Sequence, residues 1–256
     1  MSILAIIQAR LGSTRFPAKV LQPILGKPML WHIVDRVRHV SSVEKVVVAV
    51  PNGPKDEPLR RFCQEQGILC FAGSELDVLD RFYQTARHHG GDPVLRITAD
   101  CPLVDPVLIQ DVILLYRSGN YDHVGVATGA GADRIRQGRF PDGLDGECFS
   151  FAALERSWRE ATDPRDREHV TRYMWNNRHL FRCGNLISKQ PYPKVRLTVD
   201  HHDDFLLVTK IYESLYSPSR PFLLDEVMDF LKKNPELLEI NRRVAELTSY
   251  REVLEN

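Results

Sequence analysis

Short apolar runs alternate with amphipathic stretches along the first half of the chain. Ser2–Gln8 is apolar almost throughout and ends at loop residues, the pattern of a strand buried on both faces. Met29–Val40 then sets Leu30, Ile33, Val34 and Val37 at the spacing of one helix face. Lys45–Val50 is a second buried strand, halted by Pro51-Asn52-Gly53-Pro54. The alternation goes on to predict a helix over Glu57–Gln66, a short strand at Ile68–Phe71 and a helix from an Asp77 cap to His89. A strand over Val94–Thr98, a helix over Val107–Ser118 and a strand at His123–Val126 follow. Doubly apolar strands separated by helices predict an α/β fold, a mostly parallel sheet with helices on both faces. Ligands of such sheets bind beyond the carboxyl ends of the strands. The loops after Gln8 and after Thr98 should therefore share one edge.

The rhythm breaks after Ala127. Gly129–Gly146 is glycine-rich, charged and irregular. Ala152–Ala161 and Arg167–Asn177 read as helices, Val195–Val199 as a strand and Phe205–Tyr216 as a helix. Residues 128–194 are expected to be an insertion within a single domain over 1–256, an arm or lid for substrate binding or dimerisation.

Composition narrows the function classes. The chain has 256 residues, long enough to bury a full core without disulfides. Lys plus Arg and Asp plus Glu both number 34, which argues against a general binder of nucleic acid or acidic membranes. Five cysteines without a CxxC pair fit a reduced, cytoplasmic setting better than a disulfide framework or structural zinc site. The run Ile3–Ile7 is too short for a signal sequence, and no stretch is long enough for a membrane span.

Against that balance, the loop Arg10-Leu11-Gly12-Ser13-Thr14-Arg15-Phe16-Pro17-Ala18-Lys19 carries three cations and no acid. Cations on a strand-to-helix loop suit a polyphosphate, and backbone N–H groups around Gly12 add to them. The loop is neither a Walker A nor a GxGxxG sequence. The plainer alternative leaves these cations in solvent or paired with distant carboxylates. Lys19 is expected to be an exposed cation whose loss leaves stability unchanged. After the strand Val94–Thr98, Asp100 is placed to hold Mg²⁺, a hard cation that takes one or two carboxylates plus waters and phosphates. Asp105-Pro106 reads as the cap of the next helix, which frees Asp100. Asp200, after Val195–Val199, is a second candidate oxygen ligand, with Asp203 or Asp204 as a helix cap. Asp142, Asp145 and Glu147 are candidates for sugar hydroxyls or an amine. Asp166-Arg167-Glu168-His169 is ambiguous between a site and an acid-rich helix start.

IIQARLGSTRFPAK with LGKPML, GSELDVLDRFYQTA, RITADCPLVDP, FPDGLDGE, DREHVTRY and LTVDHHDDFLLV stand in this order over about residues 3–215. Together they resemble the cytidylyltransferases that activate acidic sugars, the acylneuraminate and 3-deoxy-octulosonate types. Within these they are most similar to the branch named for the spore coat polysaccharide biosynthesis protein SpsF. The resemblance implies a Rossmann-like, GT-A-like nucleotidyltransferase fold, CTP, Mg²⁺, an acidic sugar substrate and a homodimer. It places Arg10, Ser13, Arg15 and Lys19 on the nucleotide; Gly12 and Asp77 are expected there too, with Arg15, Lys19 and Asp100 as the catalytic set. Asp100 and Asp200 match the metal positions. Asp142, Asp145, Glu147, Arg167 and His169 are expected at the sugar. An acidic sugar needs a cation of its own, for which Arg134, Arg136, Arg139 and Arg167 are available. Two departures stand out: Gly146 replaces an expected β-branched residue, and His201-His202 replaces Thr-Pro. A GT-A glycosyltransferase would share the sheet but usually carries Asp-x-Asp, which does not occur here. A non-catalytic nucleotide-binding module would bind without releasing pyrophosphate.

Overall fold

The computed structural model describes residues 3–128, 132, 135, 137–190, 192 and 195–246. In chain order, β1 (Ile3–Gln8) is followed by a small hairpin of β2 (Pro23–Ile24) and β3 (Lys27–Pro28), then by α1 (Met29–Arg38) and β4 (Val43–Pro51). α2 (Glu57–Glu65), β5 (Leu69–Gly73), α3 (Val78–His89), β6 (Val94–Thr98), α4 (Pro106–Ser118) and β7 (His123–Val126) continue the alternation. β8 (Glu147–Phe149), α5 (Phe151–Glu160), α6 (Pro164–Glu168), α7 (Arg172–Asn176), β9 (Cys183–Leu186), α8 (His202–Leu215) and α9 (Leu224–Lys233) complete the order.

Seven strands form one sheet in the order β5-β4-β1-β6-β8-β7-β9. β1 pairs in parallel with β4 and β6, whereas β8 runs antiparallel to both β6 and β7. Successive side chains of β1 serve opposite faces. Ile3, Ala5 and Ile7 join the core under α1, α4, α8 and α9, while Leu4 and Ile6 join the core under α3 and α5. This two-sided burial is why the strand reads as continuously apolar.

Capping follows the expected chemistry. Asp77 accepts from the Asp80 N–H at 2.8 Å, and Asp105 accepts from the Val107 and Leu108 N–H groups at 2.8 and 3.1 Å. At α8 the cap residue is His201, and Asp204 accepts from its N–H at 3.0 Å in a capping box.

Three sequence expectations change. Among the described residues Val195–Val199 joins no ladder beyond a bridge between Asp142 and Arg196. Its N–H groups go instead to Asp142 and Asp100 carbonyls, at 2.8 Å each. The helix expected over Arg167–Asn177 is two short helices, α6 and α7, broken where Val170 takes a left-handed φ of 56°. The segment 128–194 contributes β8 and β9 to the main sheet. Gly146 has a packing reason: a Cβ there would lie 2.1 Å from Cδ1 of Ile109 on α4.

Candidate active site

The loop after β1 is held at both ends. Asp56 accepts from the Leu11 N–H at 2.7 Å, and the Leu11 carbonyl accepts from Ala18 at 3.2 Å. Phe16 packs edge-on against His202 and Phe205 of α8, at 5.7 and 5.5 Å between ring centres. His202 thus ties the loop to the helix that follows Asp200. Pro17 and a left-handed Ala18 turn the chain into a single 3-10 turn, Lys19–Leu21.

That turn aims Lys19 inward. Its side chain is 10% exposed, not the exposed cation expected. The Lys19 ammonium donates to the Val199 carbonyl at 2.6 Å and to Asp200 at 2.9 Å, and lies 3.6 Å from Asp100. Arg15 reaches the same Asp200 oxygen at 3.1 Å, and the buried Arg196 holds its other oxygen at 2.7 Å. Burial alone would raise the Asp200 carboxyl, but Lys19, Arg196 and Arg15 outweigh it and hold it at about 2. Two of the three loop cations are therefore paired with carboxylates far along the chain. Among the described residues Arg10 has no ion pair.

Around this cluster lies a cavity of about 530 Å³, lined by the loop residues, by Gln8 and Thr98 at the strand ends, and by Arg81, Asp100 and Asp200. Arg96 and His169 border it and also line a second, more enclosed cavity of about 230 Å³. Glu147 lies in that second cavity, bonded by Arg96, by His123 at 2.9 Å and by Thr171 at 3.0 Å. Burial would raise its carboxyl, yet Arg96, His123 and Thr171 lower it to about 2. His123 is the converse case: burial lowers it, but Cys183 and Glu147 lift it to about 9. Burial lowers His169 and raises Asp145, whose carboxylate accepts from Thr128 and lies 3.7 Å from the Cys101 sulfur.

A family described as Cytidylyltransferase matches residues 4–242. The chain belongs to this family. The spore coat polysaccharide biosynthesis protein SpsF of Bacillus subtilis is 32% identical over 91% of this chain and 95% of its own length. A 3-deoxy-manno-octulosonate cytidylyltransferase of Trichlorobacter lovleyi is 34% identical over 44% of each chain. A solved cytidylyltransferase structure from Leptospira borgpetersenii superposes with a TM-score of 0.84 at 26% identity, over 93% of this chain and 97% of that one. The cytidylyltransferase is thus a nucleotidyltransferase, with the Rossmann-like sheet that the sequence resemblance implied.

The expected residues of the cytidylyltransferase divide into three groups. Arg10, Gly12, Ser13, Arg15, Lys19, Asp100 and Asp200 line the larger cavity. Asp145, Glu147 and His169 line the smaller one, His169 both. Asp77 and Arg167 line neither and bond each other, Arg167 reaching Asp77 at 2.5 Å while also donating to the Trp158 carbonyl at 2.6 Å. Asp142 lines neither and pairs with Arg196 at 2.9 Å. Arg139 donates to the Ile135 and Ala132 carbonyls, and Arg134 and Arg136 lie outside the described residues. Sequence reading missed Arg81, Thr171 and Arg196. Only Arg196 left a signal, a charge inside the apolar run VRLTV.

The metal positions can be tested on their surroundings. Among the described residues no three His, Cys, Asp or Glu side chains gather as a metal site. Asp100 and Asp200 nonetheless flank one cation, the Lys19 ammonium, and supply only hard oxygen donors. Two carboxylates fit a Mg²⁺ that takes its other ligands from phosphates and water. Asp100 has the freer carboxylate, because three side-chain cations already engage Asp200.

Proposed function

We propose that the enzyme transfers CMP from CTP to an acidic sugar, of the nonulosonic or octulosonic type, and releases pyrophosphate in surface polysaccharide biosynthesis. One observation supports this reading: a cation-lined cavity at the ends of β1 and β6 shares Arg96 and His169 with a second cavity of about 230 Å³. CTP takes the first cavity and the acceptor the second. The bond formed joins an acceptor hydroxyl oxygen to the α-phosphorus, its proton passing to water; the bond broken is that from the α-phosphorus to the bridging oxygen, whose electron pair leaves with pyrophosphate. The protein has little covalent work to do. It must align the nucleophile and stabilise charge on the departing oxygens.

Arg15 and Lys19 supply fixed positive charge for the β- and γ-phosphates, and Arg10 brings a guanidinium with no competing ion pair among the described residues. Asp100, with Asp200, would hold a Mg²⁺, which when bound withdraws charge from the phosphate oxygens. The acceptor cavity has Arg96, Arg172 and a protonated His123 against an ionised Glu147 and a raised Asp145. Arg96 and His123 share Glu147, and Arg172 pairs with Asp166; these cations at the cavity wall suit a carboxylate-bearing sugar. A cytoplasmic setting matches a reaction fed by CTP. The homodimer implied by the resemblance belongs to the same proposal, and sedimentation should show a species of twice 29.4 kDa.

The test is a pyrophosphate-release screen of purified protein with Mg²⁺, four NTPs, and a panel of nonulosonic and octulosonic acids beside neutral sugars. CTP with an acidic sugar should give the fastest release. Release with neutral sugars alone would contradict the acceptor assignment.

A further inference from the structure

Arg96 stands in β6, in register with Ile6 of the parallel β1 and with Glu147 of the antiparallel β8. Its side chain is 14% exposed. Nε donates to the Gln8 side-chain oxygen at 3.1 Å, and Nη1 donates to the Glu147 carboxylate. His123 at 2.9 Å and Thr171 at 3.0 Å hold Glu147 in turn, so the guanidinium rests on a fixed anchor. Nη2 makes no hydrogen bond among the described residues, and it is not buried. A guanidinium has donors only, set in a rigid plane. Protein acceptors take two of its nitrogens, and the third faces open space in a fixed direction.

The place of that third nitrogen gives it a partner. Among the described residues only Arg96 and His169 line both cavities. Burial lowers His169, so Arg96 is the lasting charge at the junction. Arg15 and Lys19 are engaged at Asp200, on the wall of the larger cavity alone. With CTP in the larger cavity and the acceptor in the smaller, the phosphorus that changes bonds lies where the two meet. Negative charge builds there on the non-bridging oxygens of the α-phosphoryl group. A donor already fixed in place stabilises such charge without reorganising, and a charged donor does so most strongly.

We propose that Arg96 is a catalytic residue whose Nη2 donates to a non-bridging oxygen of the α-phosphoryl group, with Gln8 and Glu147 as its positioning residues. The proposal rests on the CTP reading above. No bond to Arg96 forms or breaks; the bonds that change are those already given for the transfer. Two measurements test it, both with the acid that the pyrophosphate screen selects. The first uses Arg96→Lys, whose single ammonium can pair with Glu147 but cannot span Gln8, Glu147 and a phosphate. Its kcat should fall at least about 100-fold, while CTP affinity, measured by calorimetry without acceptor, stays unchanged. A merely structural Arg96 would weaken CTP binding and turnover together. The second uses the parent enzyme alone, so it does not depend on the variant folding. In the two diastereomers of CTPαS, sulfur replaces one or the other non-bridging oxygen of the α-phosphoryl group. One diastereomer should be at least about tenfold slower than CTP, as for a lost hydrogen bond to a charged group, and should stay slow when thiophilic Cd²⁺ replaces Mg²⁺. Unchanged kcat in Arg96→Lys, equal losses of kcat and CTP affinity, or no slow diastereomer that resists Cd²⁺ overturns the assignment of Arg96 alone. A parent enzyme that releases no pyrophosphate from CTP with any of the acids overturns the CTP reading and this assignment with it.

Discussion

Lys19 joins the first loop to the last: its ammonium binds a carbonyl and a carboxylate contributed 180 and 181 residues later. Lys19 is thus structural, and in the proposed reaction it is electrostatic as well. Lys19→Ala should cost about 1–3 kcal/mol of stability, because the Val199 carbonyl is left buried without a donor. Turnover should fall further, by about 100-fold or more, as when other preorganised stabilisers of developing charge are removed. Melting and single-turnover kinetics on the folded variant separate the two effects, and an unchanged melting point would contradict the buried placement. Asp100→Asn makes the opposite test. The helix cap is Asp105, and Arg96 bonds Glu147 rather than Asp100. The apo protein should keep its melting temperature while Mg²⁺-dependent turnover is lost; near-normal turnover at saturating CTP and Mg²⁺ would remove the metal assignment. The sequence disclosed that cations gather after β1 and that acids follow β6 and the extended segment. It did not disclose their pairing, because contacts across nearly two hundred residues leave no local spacing. Asp77 and Arg167 show the same limit. Each resembles a site residue by motif, yet they neutralise one another beside the cavity.

At the scale of elements, β1, β4 and β6 were legible because burial on both faces makes them continuously apolar. β8 and β9 were not. They have three and four residues, and β9 is Cys-Gly-Asn-Leu, with no apolar period to read. The break between α6 and α7 was equally hidden, since a β-branched Val170 gives no turn signal. That break places His169 at both cavities and Thr171 on Glu147. Gly146 tests how closely α4 approaches the sheet. Gly146→Ala should destabilise by about 1–2 kcal/mol through overpacking against Ile109. Ile109→Val removes the clashing methyl, so the two substitutions together should cost less than their sum. Strict additivity in denaturant unfolding would contradict the contact.

For the whole molecule, buried charges set the pH range of stability. Asp200 and Glu147 have folded-state values near 2, below their ordinary 3.8 and 4.5. Their contribution is present above the ordinary carboxylate range and lost as pH falls through about 2. His123 is raised from 6.5 to about 9, so its contribution is full below 6.5 and lost as pH rises through about 9. Melting temperature should therefore be highest between roughly pH 4.5 and 6.5 and decline on both sides. His123→Gln should flatten the alkaline decline, and a parent melting point constant from pH 6.5 to 9 would contradict the His123–Glu147 pair.

The most direct measurement of cytidylyl transfer follows the phosphorus atoms of CTP by ³¹P NMR during turnover with an acidic sugar and Mg²⁺. The α-phosphorus should become a phosphodiester joining CMP to the sugar, with one pyrophosphate released per product. Formation of CDP and phosphate, or equal transfer from UTP, would contradict the account.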